Sequence, residues 1–73
     1  MTLATLKVGG SAVIDSIGAD ADIVYRLESL GFVSGKTVTV VRRKTGASHV
    51  RIGTTEWVMR DSTAELIRLR DHV

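Results

Sequence analysis

The chain has 73 residues, 44% of them hydrophobic, with no Cys and a net charge of +2 from 10 Lys and Arg against 8 Asp and Glu. A domain this small buries only about 60% of its unfolded surface, and without Cys neither a disulfide nor a thiolate metal site can staple it. The charge is modest and forms no dense block of one sign, and a lack of Cys fits a reducing compartment without requiring one.

Residues 1–73 read as a single unit with short connections and no repeat or low-complexity tract. The N-terminal stretch lacks the charged start and apolar run of a signal peptide, and no run of about 18 apolar residues occurs. The expectation is a soluble, cytoplasmic protein. Leu3, Leu6 and Val8 open the chain, and Gly9 with Gly10 marks a turn. Ser11 to Ile17 alternates as a first strand with Ala12 and Ile14 on one face, until Gly18 ends it.

A helix over about residues 20–30 is predicted next. Asp20 or Asp22 suits the N-cap, where a carboxylate accepts from free backbone N–H groups at the positive end of the dipole. Ile23, Leu27 and Leu30 then fall at i, i+4 and i+7, a stripe that wants a sheet to cover. Gly31 falls where the C′ residue takes positive φ, with Phe32 placed to fold back onto Leu27 as in a Schellman stop. Val33 to Lys36 reads as a type II turn with Gly35 at its third position.

The remainder alternates. Thr37 to Lys44 sets Val38 and Val40 against Thr37, Thr39 and Val41; Thr45, Gly46, Ala47 and Ser48 reverse the chain; His49 to Ile52 returns with Val50 and Ile52 on the core side. Gly53, Thr54 and Thr55 turn into Glu56 to Arg60, where Trp57 and Met59 share a face. A helical turn with its own cap near 61–65 precedes a last strand within Glu65 to Arg70. About five short strands with glycine turns, one inserted helix and so short a chain predict a mainly β fold that closes into a small barrel and so removes its own edges.

The ordered set Leu3, Leu6, Gly9, Ile14, then Arg26, Leu27, Leu30, Gly31, Gly35, Val38, Val41 and Arg42, then Met59, Arg60, Ala64 and Ile67 resembles the FeoA family, small cytoplasmic proteins of bacterial ferrous iron uptake. The most specific part is "RLESLGFVSGKTVTVVRR" followed by "VMRDSTAELI". The resemblance implies an SH3-like barrel with the helix inserted after the first barrel strand, and a role as accessory to the FeoB GTPase permease. It also implies an alternative, a stand-alone regulatory or nucleic-acid-binding module, because a similar SH3-like domain ends the metal-dependent repressors. Ser34 stands where the family commonly has Pro, and Ala47 with Ser48 where it has Asp-Pro; the first change leaves the turn formable but less preorganised.

The residues themselves nominate contact rather than chemistry. His49 and His72 have no acidic or nucleophilic neighbour spaced as a triad or acid–base pair, so no enzyme and no cofactor is expected. Serines sit mostly at turns and caps. For iron, Asp20 and Asp22 lie two apart at a helix start and Asp71 with His72 lies on a terminal tail, a poor ligand set for Fe(II). Tyr25, Arg26 and Glu28 lie off the apolar stripe and face solvent, an aromatic beside an arginine being a common hot-spot composition. Arg42, Arg43, Lys44 and Arg51 gather on adjoining strand ends, to contact nucleic-acid phosphates, to meet an acidic surface on a protein or the cytoplasmic membrane leaflet, or as a charged tip protecting a strand edge. With one Phe, one Tyr and one Trp, base stacking is disfavoured, and Trp57 reads as core. Together these give a partner surface of Tyr25, Arg26, Glu28, Arg42, Arg43, Lys44 and Arg51, with helix and basic hairpin as the two walls of one groove.

Overall fold

The computed structural model describes residues 1–70. A 3-10 turn at Leu3–Thr5 is followed by β1 (Ser11–Ile17), α1 (Ala21–Ser29), β2 (Thr37–Lys44), β3 (Ala47–Ile52), β4 (Thr55–Arg60), the one-turn helix α2 (Asp61–Ala64) and β5 (Ile67–Leu69). The strands are antiparallel in the order β4-β3-β2-β1-β5. β1 serves two partners in succession: Ser11 to Val13 pair with Thr39 to Thr37 of β2, whereas Ile14, Ser16 and Ile17 pair with Leu69, Arg68 and Ile67 of β5, across an irregularity between Ile14 and Ser16. This hand-over bends the sheet around a single core. The outer side of β5 is covered by the N-terminus, where Thr2 bridges to Arg68 and the Leu69 amide donates to the Met1 carbonyl at 2.8 Å.

The helix forms where its caps place it. Asp20 is the N-cap, its carboxylate accepting from the Ile23 amide at 3.2 Å, and Asp22 lies in the first turn. At the other end Gly31 takes φ of 105°, the Gly31 amide donates to the Glu28 carbonyl at 3.0 Å, and the Phe32 amide donates to the Leu27 carbonyl at 3.1 Å. Those two bonds are the Schellman pair. Phe32 and Leu27 are both buried in the core, with Ile23 packed at its margin. Leu30, expected on the same stripe, is instead the C-cap and 38% exposed, because the reversal at Gly31 delivers Phe32 to the place that another helical turn would have offered Leu30.

The next turn ties the helix exit to the first strand. The Lys36 amide donates to the Val33 carbonyl at 3.2 Å with Gly35 at φ 91°, the Gly35 amide donates to the Ile14 carbonyl at 2.9 Å, and the Ile14 amide donates to the Lys36 carbonyl at 2.8 Å. The turn thus closes with Ser34 in place of proline. β2 therefore enters beside β1 with its register fixed before its own ladder begins.

Two expected details differ. Only Thr45 and Gly46 lie between β2 and β3, so Ala47 and Ser48 already belong to β3, and Ser48 is buried. The short helix α2 has no side-chain cap; its N-cap is Arg60, and the Asp61 amide donates to the Gly46 carbonyl at 3.0 Å instead. Trp57 and Met59 do share a face and pack partly buried against the core, although the buried indole N–H of Trp57 meets no acceptor among the described residues.

A domain of this length carries only about 4–11 kcal/mol of stability in total. Phe32→Ala, which empties a fully buried ring position, is expected to remove about 3–5 kcal/mol, read as a large drop of the midpoint in a urea titration followed by circular dichroism. At Gly31 an added Cβ would meet only the Ile52 Cγ2 methyl at 3.9 Å, so the strain there is dihedral rather than steric. Gly31→Ala should lose about 1–2 kcal/mol, and Gly31→Val more, since a β-branched residue is a genuine outlier at positive φ; equal urea midpoints for the two would refute the helix-stop account.

Candidate interaction surfaces

On α1 the side turned away from the core carries Tyr25, at 75% the most exposed of the large apolar or aromatic side chains among the described residues. Asp22, Tyr25, Arg26, Ser29 and Leu30 line a shallow depression. The Ser29 hydroxyl donates to the Tyr25 backbone carbonyl at 2.8 Å, and Asp22 and Arg26 are exposed like Tyr25. Glu28 is also exposed, one turn from Tyr25. The exposed edge of Leu30 continues the apolar part of this face, a residue that the stripe reading assigns to the core.

A second surface is set by strand register. Arg42 lies opposite His49 and His49 opposite Val58; Lys44 lies opposite Ala47 and Ala47 opposite Arg60; Arg51 lies opposite Glu56. Residues opposite one another share a face, as do those two apart along a strand. The outer face of β2, β3 and β4 therefore gathers Arg42, Lys44, Arg51 and Arg60, all exposed, around a small depression of about 170 Å³ lined by Arg42, Lys44, Ala47, Ser48, His49 and Val58. Arg60 joins this group only through the β3–β4 register, which no local pattern reveals. His49 Nε2 lies 2.5 Å from Glu56 Oε1, so the structure does bring a carboxylate to this histidine, diagonally across two strands.

Arg43 does not belong with the other hairpin cations. A bulge between Val40 and Arg42 shifts the alternation, so that Arg42 and Lys44 face out while Arg43 turns inward opposite Ser48. Its Nε donates to the Ser48 hydroxyl at 3.1 Å and its Nη2 to the Leu3 carbonyl at 3.0 Å, while the Ser48 hydroxyl lies 3.5 Å from Asp61 Oδ1. One guanidinium thus joins the N-terminal turn, both hairpin strands and the start of α2. The α1 depression and the hairpin depression share no lining residue.

Asp20 spends its carboxylate on the helix cap, and among the described residues no group of three or more His, Cys, Asp or Glu is placed to hold a metal ion. Asp71 and His72 lie outside the described residues. No helix among the described residues is long and apolar enough to cross a membrane.

This architecture defines an SH3-like barrel with an inserted helix. It is similar to the crystal structure of the zinc complex of Stenotrophomonas maltophilia FeoA, a prokaryotic SH3 domain protein, with a TM-score of 0.86 and 33% identity over 96% of this chain and 89% of that one. The solution structure of Chlorobium tepidum FeoA is similar at TM-score 0.85 and 31% identity, over 94% of this chain and 68% of that one. Iron(II) transport protein A from Clostridium thermocellum has a TM-score of 0.87 and 25% identity, over 94% of this chain and 44% of that one. The profile of the FeoA domain matches residues 1–71, and the chain belongs to the FeoA family, which is linked to ferrous iron transport and is not a known enzyme family. A manganese-dependent transcriptional repressor shares the fold at TM-score 0.82 with 20% identity, over 92% of this chain and 39% of that one. No curated protein sequence matches the chain.

The inward and outward arginines should separate cleanly in stability measurements. Arg43→Ala removes two hydrogen bonds from a charged donor, expected to be worth about 1.5–3 kcal/mol in total once the neighbours rearrange. Arg43→Lys should recover little of this, since an ammonium lacks the fork that reaches both acceptors. Arg42→Ala, by contrast, should leave the urea midpoint within about 0.5 kcal/mol of the parent.

Proposed function

We propose that this chain is a non-enzymatic, cytoplasmic accessory protein of ferrous iron uptake that acts by docking on the cytoplasmic side of an FeoB-like GTPase permease. The observation that carries this reading is the outer face of α1. There an aromatic side chain stands in solvent beside Arg26 and the exposed part of Leu30, on a helix whose other side is already committed to the core. A large ring and a guanidinium that stay mostly exposed in the isolated domain have area and donors available to a partner, and residues of these types dominate binding energy where they are anchored. Membership of a family linked to ferrous iron transport supports the choice of partner. The chain has no P-loop pattern, so bound GTP would be the permease's.

In this mechanism the barrel is a rigid mount and α1 the contact element. Gly31 and Phe32 hold one end of the helix and Asp20 the other, so the backbone that carries Tyr25 and Arg26 is already ordered and only side-chain freedom is lost on binding. The likeness to the repressor is at an identity that shows the fold alone, and a regulatory reading would draw on the basic sheet face rather than on α1.

Calorimetry with the soluble cytoplasmic domain of the permease tests the docking. Tyr25→Ala and Arg26→Ala are each expected to weaken binding about tenfold or more while leaving the melting curve unchanged. An absence of binding by the parent protein, together with salt-sensitive retention on duplex DNA, would reverse the assignment in favour of a regulatory module.

A further inference from the structure

We propose that the outer face of β2, β3 and β4 is a docking surface for the phosphate headgroups of an acidic lipid membrane. This inference is independent of the permease reading, because it uses a different surface and its test contains no permease. Four full positive charges, Arg42, Lys44, Arg51 and Arg60, are exposed on three adjacent strands. Arg42, Lys44 and Arg60 spread over two strand spacings, about 10 Å, comparable to the Debye length of about 8 Å at physiological ionic strength, with Arg51 four residues further along β3, about 13 Å from the level of Ala47. They therefore act on one anionic surface together rather than as isolated charges. The carboxylate that the register places on this face is Glu56, and His49 lies against it. The inward-turned Arg43 is excluded, its guanidinium already bonded to Ser48 and Leu3.

The choice of lipid over nucleic acid rests on what stands among the charges. In one cross-strand row with Arg42 and His49, and two residues from Arg60 along β4, lies Val58, 73% exposed, and no Phe, Tyr or Trp accompanies it: Trp57 is on the opposite face of β4, packed against the core, and Tyr25 is on α1. Single-strand binding draws on stacking rings, and the one ring on this face, the His49 imidazole, is held against Glu56, while an apolar side chain amid phosphate contacts gains nothing from a nucleic-acid backbone. A headgroup layer accepts both, with cations pairing to phosphates while the isopropyl group sits among glycerol and acyl carbons. The shallow depression beside Val58, lined by Arg42, Lys44 and His49, gives a headgroup phosphate a place to enter.

Co-sedimentation with vesicles of phosphatidylcholine containing one-third phosphatidylglycerol tests the proposal, with pure phosphatidylcholine vesicles and a duplex DNA oligonucleotide as the other arms. The parent protein should sediment with the acidic vesicles at low salt, stay in solution with the neutral ones, and be released at molar salt, where the Debye length is about 3 Å. Each Lys or Arg at an anionic surface strengthens adsorption about fivefold, so Arg42→Ala combined with Lys44→Ala should weaken it about 25-fold. Arg60→Ala should weaken it about fivefold, and Val58→Asp should weaken it further, whereas Arg26→Ala on α1 should change nothing. Circular dichroism melts equal to the parent's confirm that each variant is folded. Equal retention on neutral vesicles, no retention on acidic vesicles at low salt, loss on Arg26→Ala equal to that on Arg60→Ala, or tighter binding to the DNA than to the vesicles would each overturn the proposal.

Discussion

The arrangement of the molecule depends on one amide, that of Phe32, donating to the Leu27 carbonyl across a glycine at positive φ. That bond ends the helix within a single residue and turns the following ring into the core. A chain of 73 residues has few large side chains with which to fill a barrel, and Phe32 is the largest that is fully buried. Three residues later the same segment is bonded in both directions to Ile14 of β1. The helix stop, the filling of the barrel and the placement of β2 beside β1 are therefore one event in space. Loss of any of the three would be expected to loosen the other two, because neighbouring contacts of this kind do not contribute independently.

Much of this was legible from local signals. Asp20, Gly31, Phe32 and Gly35 each occupy positions where few residue types satisfy the backbone, so cap, stop and turn could be read from their identities. Alternation located the strands and the inward side of Ala12, Ile14, Val38, Val40, Val50 and Ile52. It failed at Val41, where an extra residue reverses the parity of everything after it. Two adjacent valines before two adjacent arginines hinted at the break. Which arginine would turn inward depended on the Leu3 carbonyl and on Ser48, 40 and 5 residues away in sequence. The membership of Arg60 in the basic face was hidden for a related reason: it follows from pairing with Ala47, and register between distant strands leaves no trace in spacing. Leu30 shows a third limit, since a helical stripe predicts a face but not the point at which the chain leaves it.

The bulge also decides how the surface is divided. The Gly9 amide donates to the Val40 carbonyl at 2.7 Å and the Val40 amide donates to the Gly10 carbonyl at 3.0 Å, so the opening turn braces β2 at the residue where the irregularity begins. Beyond it, one arginine is spent on internal cohesion and its two neighbours are freed for solvent. An SH3-like barrel of this size can then present an uncharged-to-mixed contact helix on one side and a cationic sheet on another without either borrowing residues from the other. The helix offers contact chemistry suited to a protein and the sheet offers charge suited to an anionic layer.

The two ends of the described chain run side by side: Thr2 bridges Arg68, and Leu69 is bonded to Met1. A covalent linker joining them would span little distance and cross no core element. New termini opened at the two-residue reversal of Thr45 and Gly46, which is exposed and flanked by paired strands, would yield a circularly permuted barrel with the same neighbours throughout. The adjacency also means that a domain appended at either end would emerge from one corner of the barrel, so that order of fusion matters little to where the appended part sits.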